Sequence, residues 1–308
     1  MNTTPTTEDR IWSVLAHLSA LSFGMGILLP VVGWSDQRRK SNYASFQCLQ
    51  ALGYQSVGFT VWALSYLVII ILSAIVLLAT LEPGQTSNTP LSPGLIVFIL
   101  IFFAGFAVYF ILPIIAAIAC ALGRDFRYPV MGDRLARYLG FVPSQAQEGR
   151  DWLNEEHEFR WVAAMGHFSV LIIIWGMLAP LTAWILQGKN SRFLRFQSIQ
   201  TIVYQVCTTV VYFVGSFLYL FGLLLLVANM GILGGRDFDT SMGTISMIVL
   251  GILVLISAVL ILSVPLLHIL GQWAGYRVLK GDDYRYPLIG RLVQKWSSKH
   301  STLEERHS

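Results

Sequence analysis

Residues 17–55 read HLSALSFGMGILLPVVGWSDQRRKSNYASFQCLQALGYQ, and residues 167–205 read HFSVLIIIWGMLAPLTAWILQGKNSRFLRFQSIQTIVYQ. Aligned without a gap at an offset of 150, the two stretches share 14 of 39 positions. The shared residues are not generic apolar ones. They include His17/His167, Ser19/Ser169, Gly26/Gly176, Pro30/Pro180, Trp34/Trp184, Gln37/Gln187, Ser41/Ser191, Phe46/Phe196, Gln47/Gln197, Gln50/Gln200, Tyr54/Tyr204 and Gln55/Gln205. A second match closes each unit: GRDFRYP at 123–129 returns as GDDYRYP at 281–287. Self-similarity at a fixed period marks a repeat architecture. The expected divisions are a first repeat at 1–142, a polar linker at 143–158, a second repeat at 159–298 and a polar tail at 299–308.

Composition sets the solvent. Hydrophobic residues make up 55% of the chain and charged residues 12%, about half the charge of an ordinary soluble domain. Val57–Ala79, Leu95–Leu122, Thr208–Leu233 and Thr244–Leu267 carry no charge at all. Each exceeds the ~20 residues a spanning helix needs, and only helices and closed barrels satisfy their backbone in hydrocarbon. The expected class is an all-α integral membrane protein. The net charge of +4 suits arginines and lysines set against anionic lipid headgroups, and gives no reason to expect nucleic acid. The start of the chain shows no cleavable signal pattern. Cys48, Cys120 and Cys207 do not match between repeats, which points to unpaired thiols rather than a disulfide framework or a metal site.

Lysine and arginine cluster at 38–40 and at 189, 192 and 195, whereas the loops at 81–93 and 234–243 hold one arginine between them. The positive-inside rule puts both basic loops, the linker and the C-terminus on the cytoplasmic side of what is expected to be a bacterial cytoplasmic membrane. The repeats are then parallel. Three full crossings per repeat would flip the second one, so the first apolar segment (Ile11–Trp34, Trp161–Leu186) is expected to enter and leave on one side. Gly26 and Pro30, or Gly176 and Pro180, sit where a break is needed. The alternative is six spans kinked at the prolines. Two long transmembrane helices, one re-entrant segment and one interfacial amphipathic helix complete each repeat.

Gln47, Gln50 and Tyr54 fall on one helical face, and Gln197, Gln200 and Tyr204 repeat it. Buried amides in a membrane need partners. They are read either as hydrogen-bonding glue, with the repeats packed through these faces, or as the lining of a polar path between repeats. His17 and His167 invite the same two readings. Trp34, Arg127, Tyr128, Trp184, Arg285 and Tyr286 have the character of interfacial anchors. The segments after Pro129 and Pro287 are amphipathic, with Leu135 and Leu139 or Ile289, Leu292, Val293 and Trp296 on the apolar side, and are expected to lie in the headgroup plane. No phosphate-cradling loop, zinc motif or nucleophile elbow occurs, so no catalytic residue, cofactor or metal is expected.

The combination His-x-Ser, Gly-x-x-x-Pro, Trp, basic loop, Phe-Gln-x-x-Gln and aromatic-Arg-Tyr-Pro resembles a small bacterial membrane domain of unknown function. That domain is related to the chloroplast inner-envelope protein-import channel component. The resemblance rests on His17, Pro30, Trp34, Phe46, Gln47, Gln50, Tyr128 and Pro129 and on their partners His167, Pro180, Trp184, Phe196, Gln197, Gln200, Tyr286 and Pro287, and this chain carries the unit twice. It implies a helical membrane fold, and the kinship with an import component is an analogy about fold. The function expected of the chain is a non-enzymatic scaffold or accessory subunit of a translocation or energy-transducing membrane assembly, with a membrane-protein partner. A small transporter is the alternative, and a lipid-handling enzyme the weaker one.

Overall fold

A computed structural model describes residues 5–80, 93–142, 153–229 and 240–295. The two polar hairpin loops, most of the linker, Trp296 and the tail lie outside the described residues. Among the described residues there are helices and no strands. The first repeat contains α1 (Thr7–Leu18), α2 (Leu28–Gln37), α3 (Asn42–Gly53), α4 (Phe59–Thr80), α5 (Pro93–Ala121) and α6 (Met131–Leu139). The second contains α7 (Glu155–Phe168), the short α8 (Ile173–Gly176), α9 (Leu178–Gln187), α10 (Arg192–Asn229) and α11 (Thr240–Leu279). A last helical stretch covers 289–295.

The first apolar segment turns back on itself. After α1 the chain passes Phe23 at φ 41 and Gly24 at φ 94, conformations that end a helix. Gly26 is then pressed against the end of α1, where an added Cβ would lie 1.7 Å from the Ser19 carbonyl oxygen. Gly176 makes the same approach, 2.1 Å from the Ser169 oxygen. Pro30 and Pro180 fall in the first turns of α2 and α9, where the N–H has no intrahelical partner to lose. The return is antiparallel: Gly33 of α2 faces Trp12, and the Gln37 amide donates to Glu8 at 2.9 Å. α1 has 12 residues, or ~18 Å, about half the hydrocarbon thickness. In the second repeat Gly166 of α7 meets Pro180 of α9.

Five helices are long and apolar enough to cross a membrane, but they differ in surroundings. Over an 18-residue apolar stretch of Glu155–Gly176, 67% of the residues are buried in protein, against 6–11% over such stretches of the other four. That segment is also broken at Ile173 (φ 45). We therefore read four crossings, α4, α5, α10 and α11, and two re-entrant hairpins. Kinked six-span threading does not fit segments whose two ends meet.

The hairpins, α3 and α6 form a polar-cored head at one end of the long helices. Ser41 and Ser191 cap α3 and α10, accepting from Ala44 and Leu194 N–H at 3.1 Å; capping explains why these serines recur. α6 does not rest its apolar face on lipid as the amphipathic pattern suggests. It runs beside α3, with Met131 near Gly53 and Phe141 stacked on Phe46 at 4.1 Å. Leu135 and Leu139 are buried against protein, while Asp133, Arg134 and Arg137 face out.

Candidate functional site

The three motifs of each repeat converge on one buried cluster. α1 supplies His17, α3 supplies Gln47 and Gln50, and the return loop after α5 supplies Asp125, the Phe126 carbonyl and Tyr128. The Gln47 amide nitrogen donates to Asp125 (3.0 Å) and to the Phe126 carbonyl (3.1 Å). Both partners are acceptors, so the amide orientation is fixed and Gln47 Oε1 must accept. It accepts from the Gln50 amide at 3.1 Å and from His17 Nε2 at 3.0 Å. His17 is thereby held as the Nε2–H tautomer, and its Nδ1 accepts from the Tyr128 hydroxyl at 3.0 Å. Gln50 also donates to the Phe126 carbonyl (2.9 Å) and accepts from Tyr128 N–H (2.8 Å). Tyr54 completes the set, stacked on Tyr128 at 4.3 Å and donating to the Tyr109 carbonyl at 2.7 Å.

The second repeat rebuilds this cluster. His167 bonds Tyr286 at 2.9 Å and Gln197 at 3.0 Å. Gln197 donates to Asp283 (2.9 Å) and the Tyr284 carbonyl (3.1 Å), and Gln200 donates to Gln197 and Tyr284. Tyr204 stacks on Tyr286 at 3.9 Å and donates to the Leu267 carbonyl. Thr201 adds a hydroxyl on His167 at 2.9 Å; Ala51 holds that place in the first repeat. His17, His167 and the four glutamines have no exposed surface. Burial pushes the Asp125 carboxyl above its usual range, and Arg127 at 3.1 Å opposes the shift.

Each amide face therefore lies inside its own repeat. The repeats do not pack through the Gln/Tyr faces, because those faces are consumed by the closing loop. The repeats meet elsewhere, along α2 with α9 and α3 with α7. Arg38, 6% exposed, is the centre of that contact. It donates to Gln187 (2.9 Å) and pairs with Glu155 (2.9 Å) and Glu158 (3.5 Å), with its guanidinium 4.3 Å from the Phe159 ring centroid. Trp34 Nε1 donates to Glu158 at 3.2 Å. A surface cleft of about 390 Å³, with Asp36, Arg39, Lys40 and Asn190 at its rim, opens above this clamp. The Lys40 ammonium at 2.8 Å holds the Asp36 carboxyl below its usual range.

The anchor residues divide. Tyr128 and Tyr286 are 3% and 2% exposed, so they are cluster members and not belt residues: an interfacial tyrosine keeps its hydroxyl in water, whereas these give theirs to histidines. Trp34 is likewise fully buried, because its indole N–H has Glu158 as a partner. Trp184 is half-buried, Arg127 pairs with Asp125 and Asp133, and Arg285 lies exposed beside Asp283. Three groups escaped the sequence reading. Asp125 and Asp283 stand inside the recurring GRDFRYP and GDDYRYP motifs but were not singled out. Gln55 and Gln205, each donating to a carbonyl of the preceding hairpin helix (Ala16, 3.2 Å; Gly166, 2.9 Å), are identical across the repeats, and that identity was the available signal. Arg38 had none, since Gly188 replaces it in the second repeat.

Cys48, Cys120 and Cys207 are free thiols, and among the described residues no group of His, Cys, Asp and Glu is arranged to hold a metal ion.

No curated protein and no solved structure gives a significant match. One family model matches twice, over residues 8–135 and again over 158–293, which coincide with the two structural repeats. The chain belongs to the magnetosome magnetite crystal formation protein family, as a tandem of two of its membrane units.

Proposed function

We propose that the chain is a non-enzymatic membrane scaffold, or accessory subunit, that serves magnetite crystal formation from within the bilayer. The observation behind this reading is the closure of the two clusters. His17, Gln47, Gln50 and Tyr128 satisfy one another and the loop backbone, as do His167, Gln197, Gln200 and Tyr286. Side chains so engaged rigidify a fold, and have no free valence with which to carry a solute. The Arg38 clamp then joins two such rigid heads, while the four long helices present apolar side chains outward along their length, a surface for lipid or for a membrane-protein partner. The basic loops at 38–40 and 189–195 favour a cytoplasmic position for the head. The likeness to the import-related domain rests on the sequence resemblance alone, and the scaffold reading does not draw on it.

The test pairs reconstitution with complementation. Purified chain in vesicles should pass no ions above the level of empty vesicles, and should restore crystal size in a magnetite-forming strain that lacks it. The pair Gln50→Leu with Gln200→Leu should lose folded protein and restoration together. Ion flux that this pair abolishes while remaining folded would overturn the scaffold in favour of a transporter.

A further inference from the structure

Each closing motif ends in the same strained turn. Met131 N–H donates to the Pro129 carbonyl at 2.7 Å, and Ile289 N–H to the Pro287 carbonyl at 2.8 Å. Bonds between residues two apart define γ-turns. The central residues are Val130 at φ 65 and Leu288 at φ 67, the positive-φ form that is rare and strained. A bulky residue there is an outlier, most of all a β-branched one, and glycine would relax it. Both repeats nevertheless place an apolar side chain at this point, and both side chains stand out, each residue 75% exposed.

Depth is fixed by the cluster. Tyr128, two residues earlier, stacks on Tyr54, whose hydroxyl holds the Tyr109 carbonyl of α5. The turn therefore stands about one helical turn before Phe59, where the uncharged 22-residue α4 begins. At ~33 Å that helix matches a ~30 Å hydrocarbon layer, which puts the turn at the edge of the layer. Tyr286, Tyr204 and Leu267 set the same level for Leu288. Arg134 and Arg137 follow the first turn, and Arg285 and Arg291 flank the second, all exposed, with Leu292 exposed beside them.

We propose that Val130 and Leu288 are paired membrane wedges, inserted among the acyl chains immediately below anionic headgroups whose phosphates the neighbouring arginines meet. A bilayer is the occupant that two separate surfaces of one molecule encounter at a common depth. The inference rests on the four-crossing architecture and is independent of the scaffold reading.

The test uses the full chain with Cys207→Ser, since Cys48 and Cys120 are buried. A single cysteine replaces Val130, Leu288 or, as a control, Arg134, and carries an environment-sensitive fluorophore. The protein is reconstituted in phosphatidylcholine–phosphatidylglycerol vesicles. A nitroxide on acyl carbon 5 should quench the labels at 130 and 288 at least twofold more than it quenches the control, and aqueous iodide should give the reverse order. Iodide quenching at 130 and 288 equal to the control overturns the proposal. So does shielding from both quenchers, which would mean a protein contact. Unlabelled Val130→Gly with Leu288→Gly should keep or raise the thermal midpoint in detergent; a lowered midpoint would mean the side chains pack in protein, and would also overturn it.

Discussion

The two repeats share a polar cluster almost atom for atom, yet the helix that carries it differs. In the second repeat α10 runs unbroken from Arg192 to Asn229. In the first, α3 and α4 are separated by a π-helical turn at Tyr54–Gly58. The other repeat touches the helix just before this turn. Trp161 donates its indole N–H to the Leu49 carbonyl at 2.9 Å, an acceptor that an unbroken helix gives to Gly53 N–H. The indole also presses on Gly53, where an added Cβ would lie 2.6 Å from its ring. The ladder itself widens only beyond this contact: Tyr54 N–H still bonds the Gln50 carbonyl, and Phe59 N–H bonds the Tyr54 carbonyl five residues back. Val203 and Thr208 stand in α10 where Gly53 and Gly58 stand in the first repeat, and α10 keeps its regular ladder. The comparison teaches that duplication preserved the interior of the unit, while the face turned toward the sister unit was free to diverge.

The comparison breaks most easily at the hairpin tips. Gly26→Val and Gly176→Val both drive a side chain into a backbone carbonyl, which cannot swing away. Each should lower stability in detergent by about 3 kcal/mol or more, above the usual range for overpacking. Gly26→Val should be the worse, because its clash is closer. Thermal unfolding of the two variants checks the order, and equal or negligible losses would mean the tips are open.

Next comes the clamp. Arg38→Ala leaves Glu158, 2% exposed, without its cation and should lose about 3 kcal/mol. Arg38→Met combined with Glu158→Leu should recover most of that loss, since a buried pair replaced by apolar groups is often neutral. A double variant as weak as the single one would mean that the clamp sets the pairing of the repeats rather than merely tolerating its own charges.

The histidines sharpen the comparison further. His17→Leu strands the Tyr128 hydroxyl, worth about 1–3 kcal/mol when buried unsatisfied, and takes one of its two donors from Gln47 Oε1. His167→Leu should be milder by about 1 kcal/mol, because the Thr201 hydroxyl remains to take a partner. Adding Ala51→Thr to His17→Leu should narrow the gap, and paired melting curves would show whether it does.

The smallest effect concerns the contact beside the bulge. Trp161→Phe removes the donor to Leu49 and should cost about 1 kcal/mol. It should also leave the Leu49 carbonyl to Gly53 N–H alone, seen as slowed amide exchange at Gly53 with no change around Val203.

The hydrophobic runs made the class and the crossings legible, because hydrocarbon leaves a chain few backbone options. Residue identity at offset 150 made the repeats legible, and with them most of the cluster: His17, Gln47, Gln50, Tyr54 and Tyr128 were all singled out. What they touch was not legible. Tyr128 read as a belt residue and Asp125 was passed over, since a Tyr-Pro next to arginines looks alike whether it rests on lipid or folds back over α3. The amide faces read as a seam between repeats for a similar reason: periodicity says which residues share a face, and nothing about which partner covers it. Arg38 was hidden in a basic loop whose charge pattern reads the same with or without a buried contact.

The amino-acid order alone thus decided what is local or solvent-driven: helices where hydrocarbon demands them, breaks at Gly26 and Gly176, and two copies of one unit facing the same way. Tertiary structure decided which polar groups meet, because a buried hydrogen bond depends on the simultaneous position of segments tens of residues apart. His17, Gln47 and Asp125 become one object only when the hairpin, α3 and the return loop close on one another.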